Sequence, residues 1–108
     1  MIREALHHDQ DPIFEKTASE ALERWGYKKQ AAACAGELAE LCAKLIPYSQ
    51  GRRASSFAIQ EEIADVLITV EQMTRVFFSS PEELHQTIRL KLQKLRVHLN
   101  SWDEREKP

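Results

Sequence analysis

Along most of the chain apolar residues recur at steps of three and four, the spacing that lines one face of an α-helix, and nowhere do they alternate with polar ones over the length of a strand. The predicted class is therefore all-α. A first helix is read from Pro12 to Trp25: Asp11 and Pro12 supply a cap and a first helical position, Phe14, Ala18, Ala21, Leu22 and Trp25 share a stripe, and Gly26 follows. A second runs from about Lys28 to Ile46, with Ala32, Leu38, Leu41 and Leu45 on its apolar side. Pro47 is expected to stop it, because proline lacks the amide donor and crowds the preceding turn. The stretch P-Y-S-Q-G-R-R-A-S-S reads as a loop.

In the third helix Ile59, Ile63, Val66, Leu67, Val70, Met73 and Phe77 form a stripe wide enough to pack on two neighbours, which marks it as the central core helix. The fourth opens at S-P-E-E, where Ser80 caps, Pro81 takes the first position and Glu83 completes a capping box. It carries Leu84, Ile88, Leu92, Leu95 and Leu99 and is expected to end near Ser101, with residues 1–10 and 103–108 frayed. Four such helices with short connections predict one domain over residues 1–108, a four-helix, antiparallel helical bundle. Leu90 and Val97 widen the last stripe, and Phe77 and Phe78 read as core or subunit contact. A core this small with stripes this wide predicts an oligomer, a homodimer or homotetramer.

Composition narrows the class without deciding function. With 43% hydrophobic and 30% charged residues the chain has a globular mixture, and a formal net charge of -2 speaks against a protein that coats nucleic acid. No apolar run approaches a bilayer span and the first ten residues lack a signal-peptide core, so no membrane partner and a cytoplasmic location are expected. Cys34 and Cys42 lie eight residues apart on one helix, about 12 Å along its axis, too far to bridge.

The candidate chemistry lies in the acids. Glu37 and Glu40 are three apart on the second helix, and Glu62 and Asp65 repeat that spacing on the third, so each pair shares a helix face. Counted from the intervening loop, the two pairs fall at similar height if the helices are antiparallel. Four converging carboxylates repel one another unless a cation is present. All-oxygen ligation suits Mg²⁺ first and Mn²⁺ second, whereas a di-iron bundle would bring Glu-x-x-His motifs. The alternative is a set of solvated surface acids, since 17 acids in 108 residues produce such spacings by chance. His7 and His8 beside Asp9 form a weaker metal candidate.

W-G-Y-K-K-Q (25–30), G-E-L-A-E-L (36–41), G-R-R (51–53) and E-E-I-A-D-V-L-I-T-V-E-Q-M (61–73) together resemble the MazG-like members of the all-α nucleoside triphosphate pyrophosphohydrolases, particularly the short versions of phages and mobile gene cassettes. The resemblance covers about residues 14 to 100. It implies hydrolysis of a nucleoside triphosphate, usually a deoxynucleotide, to the monophosphate and pyrophosphate, with Mg²⁺ held by Glu37, Glu40, Glu62 and Asp65. The departure is Gly36, where many members carry another glutamate; a carboxylate that orients water then comes from Glu61 or is missing, the second case implying reduced or altered activity. Lys44, Arg52, Arg53, Lys91 and Lys94 are the candidate phosphate contacts, and Lys91 and Lys94 resemble the family's basic positions on its last helix. For Arg52 and Arg53 loop solubility is the competing reading. The W-G-x-x-x-Q pattern makes Trp25 and Gln30 candidates for base recognition, although Trp25 also reads as a core residue at a helix end. Phosphoribosyl-ATP pyrophosphatase is a less close match. From other classes stand a helical protein that senses nucleotide and metal without turnover, suggested by Gly36, and a plain oligomerisation module.

Overall fold

The computed structural model describes residues 1–2 and 12–106, with side chains as far as Ser101. These residues contain four principal α-helices and no strand: α1 Pro12–Trp25, α2 Tyr27–Ser49, α3 Ser56–Phe77 and α4 Pro81–Glu106. One residue separates α1 from α2. Gly26 sits at φ 85° and ψ 159°, a conformation in which a side chain is strained. Its N–H donates to the Leu22 carbonyl at 2.9 Å, and its own carbonyl accepts from Gln30 N–H at 3.1 Å, so it closes one helix and opens the next.

Two expected boundaries move. α2 passes through Pro47 and ends at Ser49, because proline near a helix end forfeits a single bond, and its carbonyl remains useful. That carbonyl accepts from Gln50 N–H at 3.1 Å and Arg52 N–H at 3.0 Å, while Tyr48 O accepts from Gly51 N–H at 3.0 Å. The chain then turns at Gly51, whose φ is 79°. α4 continues past the expected stop at Ser101 to Glu106, there being no glycine or proline among residues 102–106 to break it.

The helix starts follow side-chain caps. Ser55 Oγ accepts Ala58 N–H at 3.2 Å, which makes Ser56, read from sequence as loop, the first residue of α3. Ser80 Oγ accepts Glu83 N–H at 3.2 Å as a capping box requires. The return bond is displaced by one residue: the Glu83 carboxylate accepts from Ser79 N–H at 3.1 Å and from the Ser79 hydroxyl. Those bonds hold the Glu83 carboxyl below the ordinary glutamate value.

α1, α2 and α3 pack on one another, with α2 against α3 the main contact, whereas α4 touches them sparsely. Ala18, Cys34, Val66 and Leu84 are the buried hydrophobic residues, one from each helix. Ile88 is half-buried, and beyond it the stripe of α4 is uncovered: Leu92, Leu95 and Leu99 are exposed, as are Leu90 and Val97. The expected central helix is also half bare, with Ile63 and Leu67 exposed and Phe77 73% exposed. Among the described residues nothing covers these stripes.

Much of what is buried is polar, and most of it is hydrogen-bonded, Arg75 Nε being an exception. The Gln30 amide donates to Gln72 Oε1 at 2.6 Å, Thr69 donates to Val66 O at 3.0 Å, and Thr74 donates to Glu71 O at 2.6 Å. Glu71 is fully buried, and its carboxylate accepts from the Met1 amine and from Ile2 N–H at 3.3 Å. Beside it Glu15 accepts from the same amine at 3.0 Å and from Arg75. Burial pushes the Glu15 carboxyl up, but the amine and Arg75 outweigh it and leave the group below its ordinary value.

Candidate metal centre

Gln30, Cys34, Glu37, Leu41 and Lys44 recur on α2 at steps of four, three, four and three, and each is buried or half-buried. They form the face turned to α3, where Glu62, Val66, Thr69 and Gln72 are likewise sheltered. The two sides meet at Lys44 with Glu62, 3.4 Å between Nζ and Oε1, and farther along at Gln30 with Gln72. Beside the Lys44 contact Glu37, Glu40 and Glu62 each offer a carboxylate oxygen, the three atoms lying within 4.8 Å of one another. Asp65 stands outside that trio yet near enough for its charge to bear on Glu37.

The electrostatics are unfavourable as they stand. The Glu37 carboxyl is pushed above its ordinary value by desolvation first, then by the charges of Glu40, Asp65 and Glu62, and by a hydrogen bond shared with Glu62 that requires a proton. Glu37 Oε2 and Glu62 Oε2 are buried with no hydrogen-bond partner among the described residues. An unsatisfied buried carboxylate oxygen costs free energy, and Lys44 is the one cation paired at this cluster among the described residues.

These donors fit a hard divalent cation. An octahedral Mg²⁺ holds adjacent oxygens about 3 Å apart and opposite ones about 4.2 Å, so at least two of the three separations, which now lie within 4.8 Å, must be set near about 3 Å by side-chain rotation for the trio to share an ion. The set contains no sulfur or imidazole and therefore suits Mg²⁺ or Mn²⁺ better than Zn²⁺. Acidic groups at helix surfaces are common without any ion; the two orphaned oxygens separate this cluster from that background.

The remaining candidates are scattered. Lys44 belongs to the cluster. Arg53 lines a cavity of about 250 Å³ between the end of α2 and the start of α3, together with Lys44, Pro47, Ser55 and Ile59, while Arg52 is exposed and outside its lining. Glu61 is exposed beside Glu62. Lys91 and Lys94 are exposed on α4, and among the described residues the ion pair at the acids is that of Lys44, not of either of these. Trp25 is half-exposed over a shallow depression with Thr17, Glu20, Ala21 and Arg24, a depression no member of the acid cluster lines. Gln30 is only 6% exposed, and its amide nitrogen is engaged by Gln72. Cys34 and Cys42 are both free thiols, the first buried and the second exposed. His7, His8 and Asp9 lie outside the described residues.

Sequence reasoning missed Gln72 as the partner of Gln30, and it missed the group formed by Glu15, Glu71 and Arg75. A signal for the first existed. Glu62, Asp65, Thr69 and Gln72 form a polar row at helical spacing beside the apolar stripe of α3, and a row of that kind on a helix that packs on two sides has to find polar partners. No helix among the described residues is long and apolar enough to cross a membrane. No family model, curated protein or solved structure matches the chain.

Proposed function

We propose that the protein is a Mg²⁺-dependent nucleotide pyrophosphohydrolase of the MazG-like all-α kind, with Mn²⁺ as a substitute ion. It takes a (deoxy)nucleoside triphosphate and water to the monophosphate and pyrophosphate, for control of the nucleotide pool in the cytoplasm. The observation that carries this reading is the convergence of Glu37, Glu40 and Glu62 with two of their buried oxygens unpartnered.

In this reading Glu37, Glu40, Glu62 and Asp65 hold the ion. When bound, it supplies neutralising charge for phosphate oxygens and acidifies water. The chain's own residues do the rest. Lys44, already at the cluster through Glu62, offers its ammonium to a phosphate held there. Arg52 and Arg53 extend positive charge along the adjoining loop. This reading assigns Glu61, exposed on α3 next to Glu62, to accept a proton from the attacking water. The water oxygen bonds to phosphorus, the α–β anhydride bond breaks, and the released proton leaves through that carboxylate.

The bare stripes of α3 and α4 support the further reading that a second copy completes an antiparallel bundle, as a homodimer or homotetramer. In such an assembly Lys91, Lys94 and the half-exposed Trp25 would approach a site from another subunit. Light scattering at micromolar concentration tests this: a monomer would sink it.

The test of function is a panel of deoxynucleotides and ribonucleotides with Mg²⁺, following monophosphate and pyrophosphate. Turnover that Glu62→Ala abolishes supports the enzyme. Gly36 favours a second reading, a nucleotide and metal sensor; tight nucleotide binding without product would establish that one instead.

A further inference from the structure

The carboxylate of Glu71 is fully buried, and the cation that meets it is neither a lysine nor an arginine but the α-amine of Met1, which donates to both of its oxygens, to Oε2 at 3.0 Å. Arg75, one turn along α3, turns its guanidinium to Glu15 instead. Among the described residues the pair with Met1 is the one ion pair that Glu71 makes. The same amine reaches Glu15, at 3.2 Å to Oε1 and 3.0 Å to Oε2, so a single ammonium joins a carboxylate of α1 to a carboxylate of α3. The other donors to Glu71 are neutral: Ile2 N–H at 3.3 Å and the Thr74 hydroxyl at 3.4 Å. Nine residues separate Glu71 from Glu62, about 13.5 Å along α3, which places this group apart from the candidate metal centre.

We propose that the Met1 α-amine is a modification site to which the fold responds: free, it latches α1 onto α3, and acylated, it releases α1. Reaction with an acyl thioester forms the amide N–C bond and breaks the C–S bond; the thiol leaves with one proton of the ammonium, and a second proton passes to solvent. The product keeps one N–H, carries no charge, and sets a carbonyl oxygen beside two carboxylates. Glu71 is then buried with neutral donors alone, and a buried charge stripped of its counter-ion is among the costlier defects a fold can hold. Because the amine bridges Glu15 and Glu71, the loss falls on the α1–α3 contact rather than on the acid cluster.

Cys34 lets the full chain be tested with no other change. A synthetic peptide of residues 1–33, ending as a thioester and carrying Met1 either free or acetylated, is ligated to residues 34–108 through that cysteine. Hydrogen exchange of the backbone amides is then followed in α1, with α4, which touches the other helices sparsely, as the reference. Acetylation should speed exchange in α1 about tenfold or more, as expected for loss of a charge-assisted contact, and leave α4 within about twofold. In Glu71→Gln, whose neutral amide needs no counter-ion, acetylation should change α1 by about twofold at most. Glu15→Gln, at a half-buried position, supplies a second cycle in a chain that keeps Glu71: there the effect of acetylation should shrink without vanishing. Exchange in α1 that acetylation leaves within about twofold would overturn the latch, as would an equal rise in all four helices or an effect as large in Glu71→Gln as in the unsubstituted chain.

Discussion

The protein contains two groups of acids that differ in how their charge is met. Glu15 and Glu71 lie against the Met1 amine and Arg75, so two carboxylates face two cations, and the Glu15 carboxyl is held below its ordinary value. Among the described residues Glu37, Glu40, Glu62 and Asp65 have Lys44 alone and leave two buried oxygens unpartnered, and the Glu37 carboxyl is pushed up. Burial does not distinguish a structural group from a functional one, since fully buried Glu71 belongs to the satisfied set. Compensation does. The cluster whose carboxylates are compensated ties α1 to α3, with Arg75 Nε its one unpartnered buried atom among the described residues, whereas the other is stable only to the extent that something else brings positive charge.

Substitution should therefore act in opposite directions. Glu71→Ala removes a buried carboxylate from its amine partner and is expected to cost about 3 kcal/mol, read from urea unfolding. Glu62→Gln removes one of several mutually repelling charges and should leave metal-free stability unchanged or raised. A large loss at Glu62 without metal would erase the contrast.

Added Mg²⁺ sharpens the difference. An ion that binds the folded chain alone stabilises it by about 2.7 kcal/mol at one hundred times its dissociation constant. The gain should survive in Glu71→Ala and vanish in Glu37→Gln and Glu62→Gln. Equal stabilisation of all these variants would place the ion elsewhere.

The two clusters also predict pH dependences of opposite sign. Glu15, held below its ordinary value, contributes stability that is present above about pH 4.3 and lost as pH falls through its lowered value. Glu37, pushed up, retains in the folded state a proton that the unfolded chain releases. Its effect is a fall in stability as pH rises from about 4.3 through the raised value. Unfolding midpoints across this range in EDTA should show both slopes, and saturating Mg²⁺ should flatten the upper one. A Glu37→Gln chain that keeps the upper slope would assign it to another group.

The contrast explains what could be read from the sequence. Helix periodicity, the Ser80 cap and the i, i+3 acid pairs are local, and α1 and the start of α4 fall where the pattern puts them. Glu37, Glu40 and Glu62 meet because two helices in register bring them together, and their spacing carried that information. The pairing of Glu71 with the Met1 amine spans seventy residues and has no local signature. Nor could a pattern tell that Pro47 would be absorbed, since that depended on Gln50 and Arg52 finding its carbonyl. Apolar stripes announce that a face will be covered without saying by what, which is why the expected core residues Leu92, Leu95 and Phe77 stand bare in one chain.

The smallest expected effect concerns Gly36, beside the unsatisfied cluster. It is helical, exposed, and has no atom within 4 Å of the position a Cβ would take, so neither packing nor backbone conformation requires glycine there. Gly36→Ala should stabilise the fold by about 0.5 to 1 kcal/mol through helix propensity and leave Mg²⁺ affinity unchanged. Gly36→Glu places a fifth acid one turn from Glu40, so its metal-free gain should fall short of the alanine gain by a few tenths of a kcal/mol, the usual scale of like-charge repulsion at this spacing. Mg²⁺ should recover that shortfall if the cluster is a cation site. A glutamate variant that matches alanine with and without Mg²⁺ would show that position 36 does not feel the cluster at all.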